Sequence, residues 1–196
     1  RAHPKFVVKL FEAEVPELAA GSIEIKAITR EPGSRTKIAV ASLDPHVAPV
    51  GSFVGQRGVR VSTVMAALGG ERIDIIEWND DQKELIKESL SPATVLEVEL
   101  DEAEHRAKVS VSEDEQSLAI GRGGQNVRLA AKLTGWNIDI ISTGGESVAE
   151  TDGERVDITP EDVVEDPAVA AGVDPGEQDS IITEEPAEKE VTGLSA

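Results

Sequence analysis

Val54-Gly55-Gln56-Arg57-Gly58 and Ile120-Gly121-Arg122-Gly123-Gly124 are two copies of one short stretch, and their reading decides the fold. Each copy follows a brief apolar segment and opens a longer run with helical periodicity, which predicts a glycine-bracketed loop between two helices. Two glycines separated by two residues let the backbone approach a ligand without interference from Cβ. The helix that follows adds free N–H groups and a positive dipole end, so the geometry faces phosphate. Arg57 and Arg122 place charge at the same point.

A Gly-x-x-Gly match alone marks an ordinary turn more often than a site. Here the flanks repeat as well. Val59 to Gly69 follows the first loop and Gln125 to Gly135 the second, both ending on glycine where a C-cap belongs. Val61, Val64, Met65 and Leu68 share one helical face, matched in register by Val127, Ala130, Ala131 and Thr134. An apolar strand follows each helix, Ile73-Asp74-Ile75-Ile76 and Ile138-Asp139-Ile140-Ile141. The offset between copies is 66 residues, too long for a solenoid unit and right for two small tandem domains.

The chain has 196 residues and no cysteine, which excludes disulfides and thiolate metal sites. It has neither a membrane-length apolar run nor an opening signal peptide, so a soluble, cytoplasmic protein is expected. The start, Arg1-Ala2-His3-Pro4, has no initiator methionine and reads as an excised fragment or processed product. The net charge of −19 is unevenly spread. Residues 143–196 hold 16 Asp and Glu against two Lys and Arg; residues 1–142 hold 22 acids and 17 bases. The bulk sign therefore leaves room for a local basic patch at the glycine loops.

Taken in order, Pro4 to Ala13 is an amphipathic helix that Val15-Pro16 ends or kinks. Ser22 to Thr29 alternates as a strand, Lys37 to Ser42 less cleanly, and Arg30-Glu31-Pro32-Gly33-Ser34 joins them as a hairpin. Asp44 to Pro49 loops into the short helix before the first glycine loop. The second unit repeats this order from Asp80: a helix over Asp81 to Leu90 stopped by Ser91-Pro92, strands over Val95 to Leu100 and Arg106 to Val111, and a capping box at Ser112-Glu113-Asp114-Glu115. The expectation is an α+β chain of helix, strand, strand, helix, helix, strand, made twice, with domains at 1–79 and 80–142. Residues 143–196 are rich in Glu, Asp, Gly and Pro and lack aromatics. Such composition does not offset an ordering cost of about 1–2 kcal/mol per residue, so a disordered acidic tail is expected.

The strand order with Gly-x-x-Gly between paired helices resembles two tandem KH domains of type II. The wider wording resembles one family in particular. Pro49-Val50-Gly51 into Gly55-Gln56-Arg57-Gly58, then Leu68-Gly69-Gly70-Glu71-Arg72-Ile73-Asp74-Ile75-Ile76-Glu77-Trp78, is similar to the first KH domain of the bacterial transcription termination/antitermination factors called NusA. Ser117-Leu118-Ala119-Ile120-Gly121 through Gln125-Asn126-Val127-Arg128-Leu129-Ala130 to Thr134-Gly135-Trp136 is similar to their second. The resemblance covers roughly residues 1–142. It implies binding of single-stranded nascent RNA, modulation of RNA polymerase pausing, termination and antitermination, and engagement of the polymerase elongation complex through domains that lie outside this chain.

With that resemblance each loop is expected to clamp the backbone of about four unpaired nucleotides and turn their bases toward an apolar groove. Gly55, Gln56, Arg57 and Gly58, with Gly121, Arg122, Gly123 and Gly124, form the clamps. Val54 and Ile120 pack at the groove base. Arg60, Arg128 and Lys132 project from the following helices, either toward phosphate or as a solvated face. Gly123 departs from the polar or basic residue expected inside such a loop.

Three Phe and two Trp are too few for an aromatic stacking platform, and Trp78 and Trp136 read as packing residues. An enzyme is not expected: neither loop continues as Gly-Lys-Ser/Thr, neither completes Gly-x-Gly-x-x-Gly, and His3, His46 and His105 lack metal-ligand spacing. No cofactor or metal is implied, and a monomer is expected. The competing readings are a ribosomal or ribosome-assembly KH protein and a protein-interaction module acting through the acidic tail.

Overall fold

A computed structural model describes residues 2–142 and the strand at 147–149. Helix α1, Pro4–Glu14, starts with Pro at its first position and with the His3 imidazole accepting from the Lys5 amide at 3.2 Å. Val15 leaves the helix in extended conformation and Pro16 opens a short α2, Pro16–Ala19, so the expected kink is present. Strands β1, Ile23–Glu31, and β2, Arg35–Ser42, pair antiparallel as the expected hairpin. Then come α3, Pro49–Val54, the first glycine loop, α4, Val59–Ala67, and β3, Arg72–Glu77, which runs parallel to β2.

The second unit repeats the order: α5, Gln82–Ser89; β4, Val95–Asp101; β5, Arg106–Val111; α6, Glu113–Ile120; the second loop; α7, Gln125–Thr134; β6, Asn137–Ser142. The sheets are ordered β1-β2-β3 and β4-β5-β6, the latter extended by β7, Ser147–Ala149, antiparallel to β6. The architecture is the α+β pair of KH-type units read from the sequence. β7 differs from that reading, because it lies inside the stretch expected to be an unstructured tail; the free edge of β6 gives even three residues a ladder to join. The rest of that stretch lies outside the described residues.

The Ser112 capping box also does not form. Ser112 occupies the N-cap with extended backbone, but its side chain caps nothing, and the Glu115 carboxylate accepts from the Thr94 amide at 2.8 Å instead. A partner brought in by the fold outcompetes the local one.

Each unit has its own core. In the first, Val7, Val8 and Phe11 of α1 meet Ile28, Ile38 and Val40 of the sheet and Phe53 of α3, with the Phe11 and Phe53 rings 4.9 Å apart. In the second, Ile86, Val109, Val127, Ala130, Trp136 and Ile140 do the same work. A third cluster joins the units: Ala27, Ala39 and Ile76 of the first sheet pack on Leu85 of α5 and Leu133 of α7. The Thr29 hydroxyl donates to the Leu129 carbonyl at 3.1 Å across the same seam.

Polar groups complete the seam. The Lys37 ammonium, fully buried, donates to Asp74 Oδ2 at 3.0 Å and to the Ser91 carbonyl at 2.9 Å, and Arg35 Nε donates to Asp74 at 2.6 Å. Within the first unit, Glu71 is buried where β3 begins and receives Arg30 through Nε at 2.8 Å and Nη2 at 2.9 Å, the Gly33 amide at 2.7 Å, and the Thr36 hydroxyl. That carboxylate pins the hairpin turn to the start of β3.

Candidate nucleic-acid interface

The two glycine loops have the same backbone. Gly55 and Gly121 take φ/ψ of 72/175° and 73/174°, a region open essentially to glycine alone. A Cβ on Gly55 would lie 2.8 Å from Cγ of Arg60; one on Gly121 would lie 2.7 Å from Cβ of Asn126 and 2.8 Å from its amide nitrogen. Gly58 and Gly124 are left-handed at φ 77° and 74°, and their amides bond back to the Gly55 and Gly121 carbonyls at 3.1 and 3.2 Å. Each loop is thus a single tight 3-10 turn that delivers the chain directly into α4 or α7. Among the described residues no side chain caps either helix start.

The third loop position is left-handed as well, at φ 54° for Arg57 and 60° for Gly123. This supplies the physical reason for a glycine where a polar or basic residue is expected: at Gly123 the conformation costs a glycine nothing, whereas Arg57 is strained. Arg57 and Arg122 are both exposed, and among the described residues neither is in an ion pair. Gln56 is exposed beside Arg57. An open groove of about 690 Å³ runs beside the first loop, walled by Val47, Ser52, Gly55, Gln56, Val59 and Arg60.

The helix cations separate. Arg60 Nη1 donates to Glu17 at 3.0 Å and to the Ser52 carbonyl at 2.7 Å. Arg128 donates from Nε to Glu31 Oε1 at 2.8 Å and from Nη1 to the Gly123 carbonyl at 3.3 Å, while Gln125 donates to Glu31 at 2.6 Å. Burial pushes the Glu31 carboxyl up, but the hydrogen bonds from Gln125 and Arg128, with the charges of Arg128 and Lys132, outweigh it and hold the group below the usual carboxylate range. Lys132 is exposed, so of the three only this ammonium stands clear of a hydrogen bond among the described residues. Val54 and Ile120 are half-buried at the loop entrances.

Both tryptophans pack. Trp136 is buried in the second core, stacks on the exposed His105 ring at 4.2 Å and donates to Gln82 at 3.3 Å; Trp78 is half-buried against the seam. Asn126 was missed by sequence reasoning. It is completely buried and donates to the carbonyls of Leu90, Leu118 and Ala119 at 2.9, 3.1 and 3.2 Å. The signal was present, since Asn126 stands in register with Arg60 of the first copy. Among the described residues no cluster of three or more His, Asp or Glu side chains is placed to hold a metal ion, and no helix is long and apolar enough to cross a membrane.

Comparison with known proteins converges on this geometry. Residues 1–78 match the NusA-like first KH domain and residues 82–148 the NusA-like second KH domain. The chain is 54% identical over 138 residues to the transcription termination/antitermination protein NusA of Thermus thermophilus, covering 70% of this chain and 36% of that protein. It is 48% identical over 166 residues to NusA of Bacillus subtilis, covering 85% of this chain and 43% of that protein, and 49% identical over 150 residues to NusA of Rickettsia prowazekii, covering 75% and 30%. The chain therefore spans less than half the length of these relatives. With two matched domains in tandem, each with its glycine loop between paired helices, the chain belongs to the NusA-like KH family.

Proposed function

We propose that the chain binds single-stranded RNA through its two Gly-x-x-Gly loops, as the tandem KH segment of a transcription elongation factor that modulates RNA polymerase pausing, termination and antitermination. One observation carries the reading: both loops hold the same glycine-only turn, open a helix with no side-chain cap, and present an exposed arginine with no acidic partner among the described residues. Backbone amides and the helix dipole meet phosphate there, Arg57 and Arg122 add charge, and the groove beside the first loop receives bases. Gly55, Gln56, Arg57, Gly58, Gly121, Arg122, Gly123 and Gly124 form the two clamps, with Lys132 as a peripheral phosphate contact. Arg60 and Arg128 already meet carboxylates, so their part in binding is indirect.

The working units are residues 1–79 and 80–142, with the strand at 147–149 added to the second sheet. The chain acts by binding and not by catalysis, as a cytoplasmic monomer that engages the RNA polymerase elongation complex. The testing experiment is the salt dependence of binding to an unstructured RNA oligonucleotide. Wild type is compared with Gln56→Asp/Arg57→Asp and with Arg122→Asp/Gly123→Asp, each checked for native circular dichroism. Counterion release predicts a log-log slope near −0.7 per phosphate neutralised on a single strand. Weaker binding with a shallower slope in both variants supports the clamp; unchanged binding and slope overturn it.

A further inference from the structure

Position 60 in the first unit and position 126 in the second stand five residues beyond the first loop glycine, one an arginine and the other an asparagine. Their chemistry differs and their contacts do not. Each lies directly against the first loop glycine, at a separation no Cβ on that glycine could share. Each donates to the carbonyl of the residue three before that glycine, Arg60 to Ser52 at 2.7 Å and Asn126 to Leu118 at 3.1 Å. Each then reaches the helix that precedes its unit's first strand. Arg60 meets Glu17 of α2 at 3.0 Å, and Asn126 meets the Leu90 carbonyl at the end of α5 at 2.9 Å.

The physical consequence is the same in both units. Carbonyls at the C-terminal end of α3 and of α6 have no partner within their own helix. The side chain satisfies them and, because it springs from the first turn of the next helix, it fixes the angle at which one helix hands over to the other. That angle sets where the loop amides point. The longer arginine, with a half-exposed carboxylate as its far anchor, and the shorter, fully buried asparagine, with a backbone carbonyl as its far anchor, reach the same end by different lengths.

We propose that Arg60 and Asn126 are positioning residues that brace the two Gly-x-x-Gly loops, and that Arg60 is not itself a phosphate contact. The inference rests on the RNA-binding reading for its function and on the loop geometry for its structure, and the test separates the two. Glu17→Gln is the sharpest variant. It removes the charge that holds the arginine but leaves an amide oxygen able to accept from it. If Arg60 were a phosphate contact held back by Glu17, RNA would bind more tightly and the salt slope would steepen by about 0.7. The brace predicts no tightening and an unchanged slope. Arg60→Lys keeps the charge, but its ammonium sits one bond nearer the backbone than Nη1 and falls short of the point from which that single nitrogen reaches both anchors, so binding is expected to weaken severalfold, again with an unchanged slope.

Amide exchange on the free protein tests the brace without RNA. In Arg60→Lys the Gly58 amide, and in Asn126→Asp the Gly124 amide, should exchange at least about fivefold faster, the equivalent of one ordinary hydrogen bond lost, while core-strand amides stay as in wild type. Asn126→Asp turns an acceptor toward three carbonyls; should it not fold, Arg60→Lys and Glu17→Gln at half-exposed positions decide the matter. Tighter binding with a steeper slope in Glu17→Gln, or unchanged loop exchange in Arg60→Lys, overturns the proposal. If wild type binds no RNA, the functional reading fails, and the exchange measurement still rules on the brace.

Discussion

Exchanging the residues at the third loop position pits stability against binding in a way that only this loop geometry predicts. Arg57 is at φ 54°, ψ 25° and Gly123 at φ 60°, ψ 31°, so the backbones are interchangeable. A Cβ on Gly123 would meet nothing within 4 Å, which leaves room for an arginine. A left-handed non-glycine residue costs about 1–2 kcal/mol, and a glycine returns about 0.4–1 kcal/mol of that as greater freedom of the unfolded chain. Arg57→Gly should therefore stabilise the protein by about 1 kcal/mol or slightly less, and Gly123→Arg should destabilise it by a similar amount.

Binding should move the other way. One phosphate contact on a single strand contributes about 0.7 to the salt slope, worth roughly fivefold in affinity at 0.1 M monovalent salt relative to 1 M. Arg57→Gly should lose that factor and Gly123→Arg should gain it. The assays are urea unfolding and fluorescence anisotropy with a short unstructured RNA over a salt series. An unchanged slope in Arg57→Gly would show that Arg57 neutralises no phosphate. Two variants that shift affinity in the same direction would show that the loops are not equivalent clamps.

Other expectations concern the seam and the buried charges. Leu133→Ala empties a fully buried site between the units and should cost about 2–5 kcal/mol by urea unfolding, whereas Leu96→Ala at an exposed position should change stability by less than about 0.5 kcal/mol. Burial lowers the Lys37 pKa to about 8 from 10.5, with Asp74 opposing only in part. The unfolded chain then holds the extra proton between those values, so unfolding free energy should rise with pH from about 8 to 10.5, and Lys37→Met should abolish that rise. Burial raises the Glu71 carboxyl, but bonds from Arg30, Thr36 and Gly33 outweigh it and hold the group below its usual value. Its contribution is complete above the ordinary carboxylate pKa and is lost as pH falls through the lower folded value. Glu71→Gln should cost about 3–5 kcal/mol at neutral pH and flatten that acid limb of a pH-stability curve.

What the sequence makes legible here is whatever depends on neighbours along the chain. The loops could be read because glycine is required at φ near 70° and because the helical period on both sides is local. Arg60 and Arg128 could not be placed, because their carboxylates are 43 and 97 residues away and a cation on a helix face looks the same with or without them. The Ser112 box failed for the same reason: Thr94 claims the Glu115 carboxylate from 21 residues away. Asn126 is the instructive case: the 66-residue offset already puts it in register with Arg60, but the contacts that the two residues share become visible only in the fold.

The imperfect alternation of β2 follows from the seam. Every residue from Arg35 to Val40 is buried, whereas in β5, its counterpart, only Ala107, Val109 and Val111 are. Ile38 and Val40 face their own helices; Lys37 and Ala39 face the second unit, so both sides of the strand are covered and a period of two no longer separates core from solvent. The partner shows the matching distortion. In α7, Leu129 and Leu133 form a second buried stripe beside the one that packs on its own sheet, where α4 has Thr63 and Ala67 in register, both exposed. Two copies of one fold thus diverge at the surface where they meet: the first buries its sheet on both faces, with polar groups among the apolar ones, and the second adds a buried stripe to its helix. The loops, each at the N-terminal end of its helix, keep the same backbone in both.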